Sequence, residues 1–113
     1  MTWLEHYKKS EAAASLATVL IRTGQSAEAV KNYRLAAELE VAALEALDIS
    51  KSRTSGITVV SAAALWFKGQ ELEKSKRLAY RWLATDTLPE FAIDKLEEIL
   101  REILILERVP IAG

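Results

Sequence analysis

The sequence contains no cysteine and only one histidine among its 113 residues. A chain without cysteine can form no disulfide, no thiolate metal site and no cysteine nucleophile. The single histidine, His6, lacks the partners that a catalytic triad or a histidine metal site would need. These absences predict a protein that is not an enzyme, with no catalytic residues, no cofactor and no bound metal.

Long apolar runs and an excess of one charge are also missing. No run approaches the roughly 18 apolar residues of a membrane span, and the first residues lack the pattern of a signal peptide. Fifteen basic residues stand against sixteen acidic ones, so general nucleic-acid binding is not expected. We therefore expect a cytoplasmic protein that has neither a membrane nor a nucleic acid as its partner.

Only four glycines and two prolines occur, which disfavours folds built from strands and turns. Half of the residues are hydrophobic, and alanine, leucine and glutamate, which are strong helix formers, are abundant. The length is that of one domain, residues 1–113. The composition predicts a single all-α domain.

Helical spacing and capping signals divide this domain into five helices. Capping boxes are predicted at Thr2 with Glu5 and at Thr87 with Glu90, and Gly24 and Gly69 end helices. The expected helices cover about residues 2–24, 26–48, 57–68, 71–85 and 88–107. They form a hairpin over 2–48, a polar connection over 49–56, a second hairpin over 57–86 and a C-terminal capping helix over 88–107.

The first hairpin resembles a tetratricopeptide repeat (TPR). Residues 23–36 are similar to that family's turn and second helix. The matching positions are Leu16, Ala17 and Leu20 in the first helix and Ala29, Tyr33 and Ala36 in the second. Ala13 stands where the family has tryptophan, Val41 where it has proline, and Lys74 and Arg81 where the second hairpin would need alanines.

The resemblance covers about residues 11–85 and implies two antiparallel TPR-like hairpins. The layout is also similar to that of small uncharacterised bacterial proteins of this type. By analogy of fold, the resemblance implies binding of a protein or peptide. The family's groove would be lined here by Thr18, Ile21, Arg22, Ala63, Trp66 and Phe67. The alternative is that the C-terminal helix packs there and fills the groove.

A second candidate site lies in the polar connection. Lys51 and Arg53 precede the third helix together with Thr54 and Ser55. A helix N-terminus with nearby cations can bind an anion such as phosphate. The alternative is an ordinary loop and helix cap, because serine and threonine are common N-cap residues.

The C-terminal helix carries apolar residues around most of its circumference. Such a helix is either covered on nearly all sides or meets another chain, so a homodimer or a partner contact is expected there. The alternative is a cap folded back on its own chain. Its acidic residues are expected to form a solvated face. The predicted contact surface consists of Ile99, Leu100, Ile103, Leu104, Ile105 and Leu106.

The leading prediction is an interaction module, an adaptor or accessory subunit that binds a protein or peptide through a helical groove. One alternative is a self-assembling structural homo-oligomer. Another is a sensor of anionic ligands that uses residues 51–55. The identity of the partner does not follow from the sequence.

Overall fold

The computed structural model describes residues 2–48 and 50–108. This part of the chain contains five helices and no strand, which confirms the all-α prediction. The helices are α1 (Trp3–Arg22), α2 (Ser26–Glu45), α3 (Ser52–Lys68), α4 (Leu72–Leu83) and α5 (Glu90–Arg108). α1 packs against α2 and α3 packs against α4, an arrangement compatible with two hairpins.

Small residues allow α1 and α2 to approach closely. Ala17, Ala29 and Ala36 are completely buried between neighbouring helices. The hydroxyl of Ser10 crosses this interface and donates to the Ala36 carbonyl at 2.9 Å. At the start of α1, Thr2 Oγ1 accepts a hydrogen bond from the Glu5 backbone N–H at 3.2 Å, as the predicted cap requires.

The helix ends agree with the predicted ones to within about one turn, except at α3. This helix begins at Ser52 instead of at about Ile57. Its first turn is stabilised by tertiary packing, which overrides weak local propensity. A Cβ added to Gly56 would lie 2.9 Å from Cγ of Pro89, so glycine is needed where α3 passes the start of α5.

α5 begins at Glu90, immediately after Pro89. No hydrogen bond within residues 50–108 joins Thr87 to Glu90 in the predicted capping box, and the Thr87 hydroxyl pairs with the Thr85 hydroxyl at 2.8 Å instead. α5 packs against α3 and α4 and covers one side of both. Its buried face consists of Ala92, Leu96, Leu100 and Ile103. A stop at Pro110 was predicted for this helix and lies outside the described residues.

Candidate functional site

A cleft, which we name the Trp66 cleft, lies between α2, α3 and α4. It has a volume of about 240 Å³. Its lining combines an apolar floor with three long cationic side chains. The lining residues are Val41, Trp66, Lys74, Arg77, Leu78 and Arg81.

α4 supplies four of these residues because they share one helical face. Their spacing is i, i+3, i+4 and i+7, which places them on one side of the helix over two turns. They are Lys74, Arg77, Leu78 and Arg81. A different face of α4 packs against α3, where the Ser75 hydroxyl donates to the Ala63 carbonyl at 2.8 Å. α4 therefore faces α3 with one side and the cleft with another.

Lys74 covers the indole at the floor of the cleft. Its Nζ lies 4.7 Å from the centroid of the Trp66 ring, within the range of a cation–π contact. Trp66 retains only 7% of its exposure, so its face cannot accept a stacked nucleic-acid base. The floor can accept an apolar side chain beside the indole but not a flat ring upon it.

Two of the three cations have no anionic partner in the described part of the chain. Arg77 pairs with Glu73 on the exposed surface of α4, with Nε 3.1 Å from Oε1. Among residues 2–48 and 50–108, no carboxylate oxygen lies within 4.0 Å of a Lys74 or Arg81 side-chain nitrogen. Their charge is therefore available to a partner.

The α2 side of the cleft carries the opposite charge. Glu38 and Glu45 are exposed and lie about one turn on either side of Val41 in the helix. Arg34, one turn before Glu38, donates from Nε to the Gly69 carbonyl at 2.7 Å, so this stripe of α2 faces the turn between α3 and α4. We name the α4 side of the cleft its basic wall. We name the exposed surface of α2 beside Val41, which carries Glu38 and Glu45, its acidic wall, although only Val41 of this helix lines the cleft itself.

The structure separates the residues of the groove predicted from the sequence. Ala63 is fully buried and Trp66 lies in the cleft. Phe67 faces α5 instead, in a cavity of about 90 Å³ whose lining includes Ile99 and Glu102. On α1, Thr18, Ile21 and Arg22 are exposed. The sequence named Trp66 but missed its neighbours on α4, although their spacing could have indicated them.

The predicted anion site falls in the first turn of α3. Lys51, just before the helix, makes no side-chain capping hydrogen bond. The Arg53 guanidinium lies 5.5 Å from the centroid of the Phe91 ring. Thr54 is half-buried and Ser55 is buried, so these two residues face the protein more than solvent. Of the four predicted residues, Lys51 and Arg53 are exposed, and the anion site stays a prediction.

The predicted contact surface of α5 divides into a covered and an open part. Leu100 and Ile103 are buried against the rest of the chain, and Ile99 is half-buried. Leu104, Ile105 and Leu106 remain exposed, with Ile105 the most open at 59%. The last two turns of α5 therefore present apolar side chains to solvent.

Another apolar groove runs along the outer side of the first hairpin. It has a volume of about 470 Å³ and lies between α1 and α2, away from α3. Leu16 of α1 and Leu35 of α2 both line it and are each about half exposed. Its lining consists of Lys9, Ala12, Ala13, Leu16, Asn32, Leu35 and Leu39.

One buried carboxylate, Glu40, was not singled out by the sequence. Glu40 of α2 is 2% exposed and interacts with Ser10 and Glu11 of α1. Burial raises the pKa of its carboxyl to about 6, the Ser10 hydroxyl opposes this shift, and the charge of Glu11 adds to it. Its position within the apolar stripe of α2, between Ala36 and Leu44, could have indicated a buried acid.

The described residues contain no cluster of three or more acidic, histidine or cysteine side chains arranged to hold a metal. His6 is half-buried, and its Nδ1 finds no hydrogen-bond partner among those residues. None of the described helices combines the length and apolarity needed to cross a bilayer.

No protein-family model matches the chain, and comparisons with curated proteins and with solved structures find no significant similarity.

Proposed function

We propose that this protein is a non-enzymatic protein–protein interaction module, an adaptor or accessory subunit of the cytoplasm. The Trp66 cleft is the helical groove through which it binds a protein or peptide. The observation that carries the proposal is the pairing of an apolar floor with two cations, Lys74 and Arg81, that lack a carboxylate partner in the described chain.

The chemistry of the cleft supports a protein partner. An apolar anchor buried in a pocket supplies most of the affinity of typical interfaces, whereas charges at the rim select the partner. The acidic wall of α2, with Glu38 and Glu45, disfavours a polyanion such as nucleic acid. The resemblance of the first hairpin to a tetratricopeptide repeat adds support by analogy of fold.

The test compares two variants that carry the same change of charge, one in the cleft and one on α1. The purified, tagged protein is incubated with extract of its native host, and the bound proteins are identified by mass spectrometry. The cleft variant is Lys74→Glu with Arg81→Glu. The control is Lys8→Glu with Arg22→Glu, two exposed cations on α1.

The proposal expects partners that bind the parent protein and the control but are lost from the cleft variant. Partners retained by the cleft variant would overturn it. Loss in the control alone would instead place the site on α1, beside Thr18 and Ile21, where the sequence predicted a groove.

Self-assembly is the second candidate, and the exposure of apolar side chains favours it. Ile105 and Leu106 on α5 and Leu16 and Leu35 on the first hairpin are each about half exposed or more. Contiguous exposed apolar surface marks interaction sites in soluble proteins. Light scattering over a range of protein concentrations tests this candidate, and a constant monomer mass would remove it.

A further inference from the structure

We infer that the Trp66 cleft is occupied by α5 of a second copy of this chain, which inserts Ile105 between the two charged walls. The inference rests on the proposed function, because it names the occupant of the same cleft. It is carried by charge complementarity between two surfaces of one molecule.

On the open face of α5, Ile105 lies between charged residues of opposite sign. Glu98 and Glu102 precede Ile105 by seven and three positions and lie on one side of it. On that side Glu98 also pairs with Lys95, whose Nζ lies 3.5 Å from Glu98 Oε2. Arg101 and Arg108 lie on the other side, four positions before and three after. The two glutamates and the two arginines are exposed.

This pattern is the counterpart of the cleft. Ile105, exposed at 59%, is an apolar side chain of the size that the floor beside Trp66 can accept. With Ile105 inserted, the acidic flank faces the basic wall of α4 and the arginine flank faces the acidic wall of α2. Glu98 and Glu102 are about 6 Å apart along the helix and fit within the roughly 10 Å between Lys74 and Arg81.

The α5 of the same chain cannot fill this cleft. It packs on the opposite side of α4, where Lys76 Nζ lies 2.8 Å from Glu107 Oε1. Lys76 is two positions from Lys74, about 200° around the helix, so the two lysines face different directions. The contact must therefore be made between molecules.

The contact joins two different surfaces, the cleft of one copy and α5 of another. Each copy offers one cleft and one helix, so copies join into a reciprocal two-fold pair, a closed ring or an open chain. The contacts at its rim are between charges, so high salt weakens the association.

The test uses sedimentation velocity on purified protein over a range of concentrations. The parent protein should gain mass as its concentration rises. The cleft variant, Lys74→Glu with Arg81→Glu, and the helix variant, Glu98→Lys with Glu102→Lys, should each associate at least roughly tenfold more weakly. All four residues are exposed, and circular dichroism verifies that both variants keep their helices.

Mixing the two variants supplies the decisive measurement. The acidic cleft of one then meets the basic helix of the other, and the unchanged surfaces also complement each other. Association should return in the equimolar mixture although each variant alone is monomeric. A mixture that stays monomeric overturns the inference.

Single substitutions at apolar residues separate this interface from the outer groove of the first hairpin. Ile105→Asp should abolish association, whereas Leu16→Asp, at a side chain of similar exposure, should leave it unchanged. If Leu16→Asp abolishes association and Ile105→Asp leaves it unchanged, the interface lies on the first hairpin and the inference is overturned.

A parent protein that is monomeric at all concentrations also overturns it. The proposed function then stands or falls separately, on whether host proteins bind in a manner that depends on the cleft.

Discussion

The two hairpins, α1–α2 and α3–α4, are built from the same parts. Each buries one serine that reaches across the interface to an alanine carbonyl, Ser10 to Ala36 at 2.9 Å and Ser75 to Ala63 at 2.8 Å. Each turn contains the dipeptide Gly-Gln, at residues 24–25 and 69–70. These shared features predict that corresponding residues of the two hairpins have the same structural role.

The two glycines nevertheless serve different purposes. Gly24 adopts a φ of 79°, the left-handed conformation that favours glycine, and a Cβ there would meet no atom within 4 Å. Gly69 has a φ of −78°, and the left-handed residue of its turn is Gln70, with a φ of 59°. The first turn needs glycine for its backbone angle, whereas the second needs it for space.

The largest effect is expected at Gly69. A Cβ there would lie 2.9 Å from Cγ and 3.2 Å from the backbone nitrogen of Arg34. Because α2 must shift to relieve the backbone contact, Gly69→Ala should lower the free energy of unfolding by about 2–3 kcal/mol in urea titrations. In an Arg34→Ala background the part of the cost that comes from the side-chain contact should disappear, and an equal cost in both backgrounds would show that only the backbone contact is responsible.

The next effect concerns Glu40, the buried acid of the first hairpin. Its raised pKa means that the folded chain binds more protons than the unfolded chain between about pH 4.5 and about pH 6. Stability therefore falls as pH rises through this window and stays lowered above it. Glu40→Gln removes the cost and should raise the free energy of unfolding by about 2 kcal/mol at pH 7.

The gain from Glu40→Gln should disappear below about pH 4.5, where the parent carboxyl is protonated in both states. The matched control is Glu38→Gln, two positions along α2 and exposed, which should leave the pH dependence of stability unchanged. A gain that is independent of pH would contradict the assignment of the cost to an ionised Glu40.

A smaller loss is expected at Gly24. Gly24→Ala places a Cβ on a left-handed residue in open space, so its cost is backbone strain alone, about 1 kcal/mol. Gly24→Asn should cost less, because asparagine tolerates this conformation better. Thermal unfolding measures both, and an alanine variant as stable as the parent would remove the distinction between the two turns.

The smallest effect is a gain at Gln70. Gln70→Gly relieves a left-handed non-glycine residue and loses part of that gain to the greater freedom of the unfolded chain, so the net gain should be about 0.5 kcal/mol. Gln25 has a φ of −98°, and Gln25→Gly should therefore destabilise the protein. If both substitutions changed the free energy of unfolding in the same direction, the two turns would not differ in which residue is left-handed.

The helices could be predicted because their spacing, caps and breaking residues are local signals. Gly24 and the cap at Thr2 were predicted correctly for this reason. The start of α3 was missed because Gly56 resembles a helix breaker in the sequence, whereas in the structure it lies inside α3 where the helix passes Pro89, a residue far away in the sequence. In the second turn the left-handed residue is Gln70, and Gly69 is needed for space beside Arg34. This also depends on a residue far away in the sequence.

The candidate site could be predicted only in part. Trp66 and Phe67 were identified as neighbours that one surface could not cover, and the structure places them on different sides of α3. The basic face around Leu78 is visible in the spacing of α4. That this face meets Val41 and Trp66 depends on the packing of three helices, which no single helix encodes.

The position of α3 has a consequence for how the molecule opens. α3 packs against α2, α4 and α5, whereas α1 packs mainly against α2 and reaches α3 through a bond from Trp3 Nε1 to Thr58 Oγ1 of 3.2 Å. Backbone amides of α1 can therefore exchange with solvent through local opening, while those of α3 exchange only when the whole domain unfolds. Hydrogen–deuterium exchange should show stronger protection in α3 than in α1.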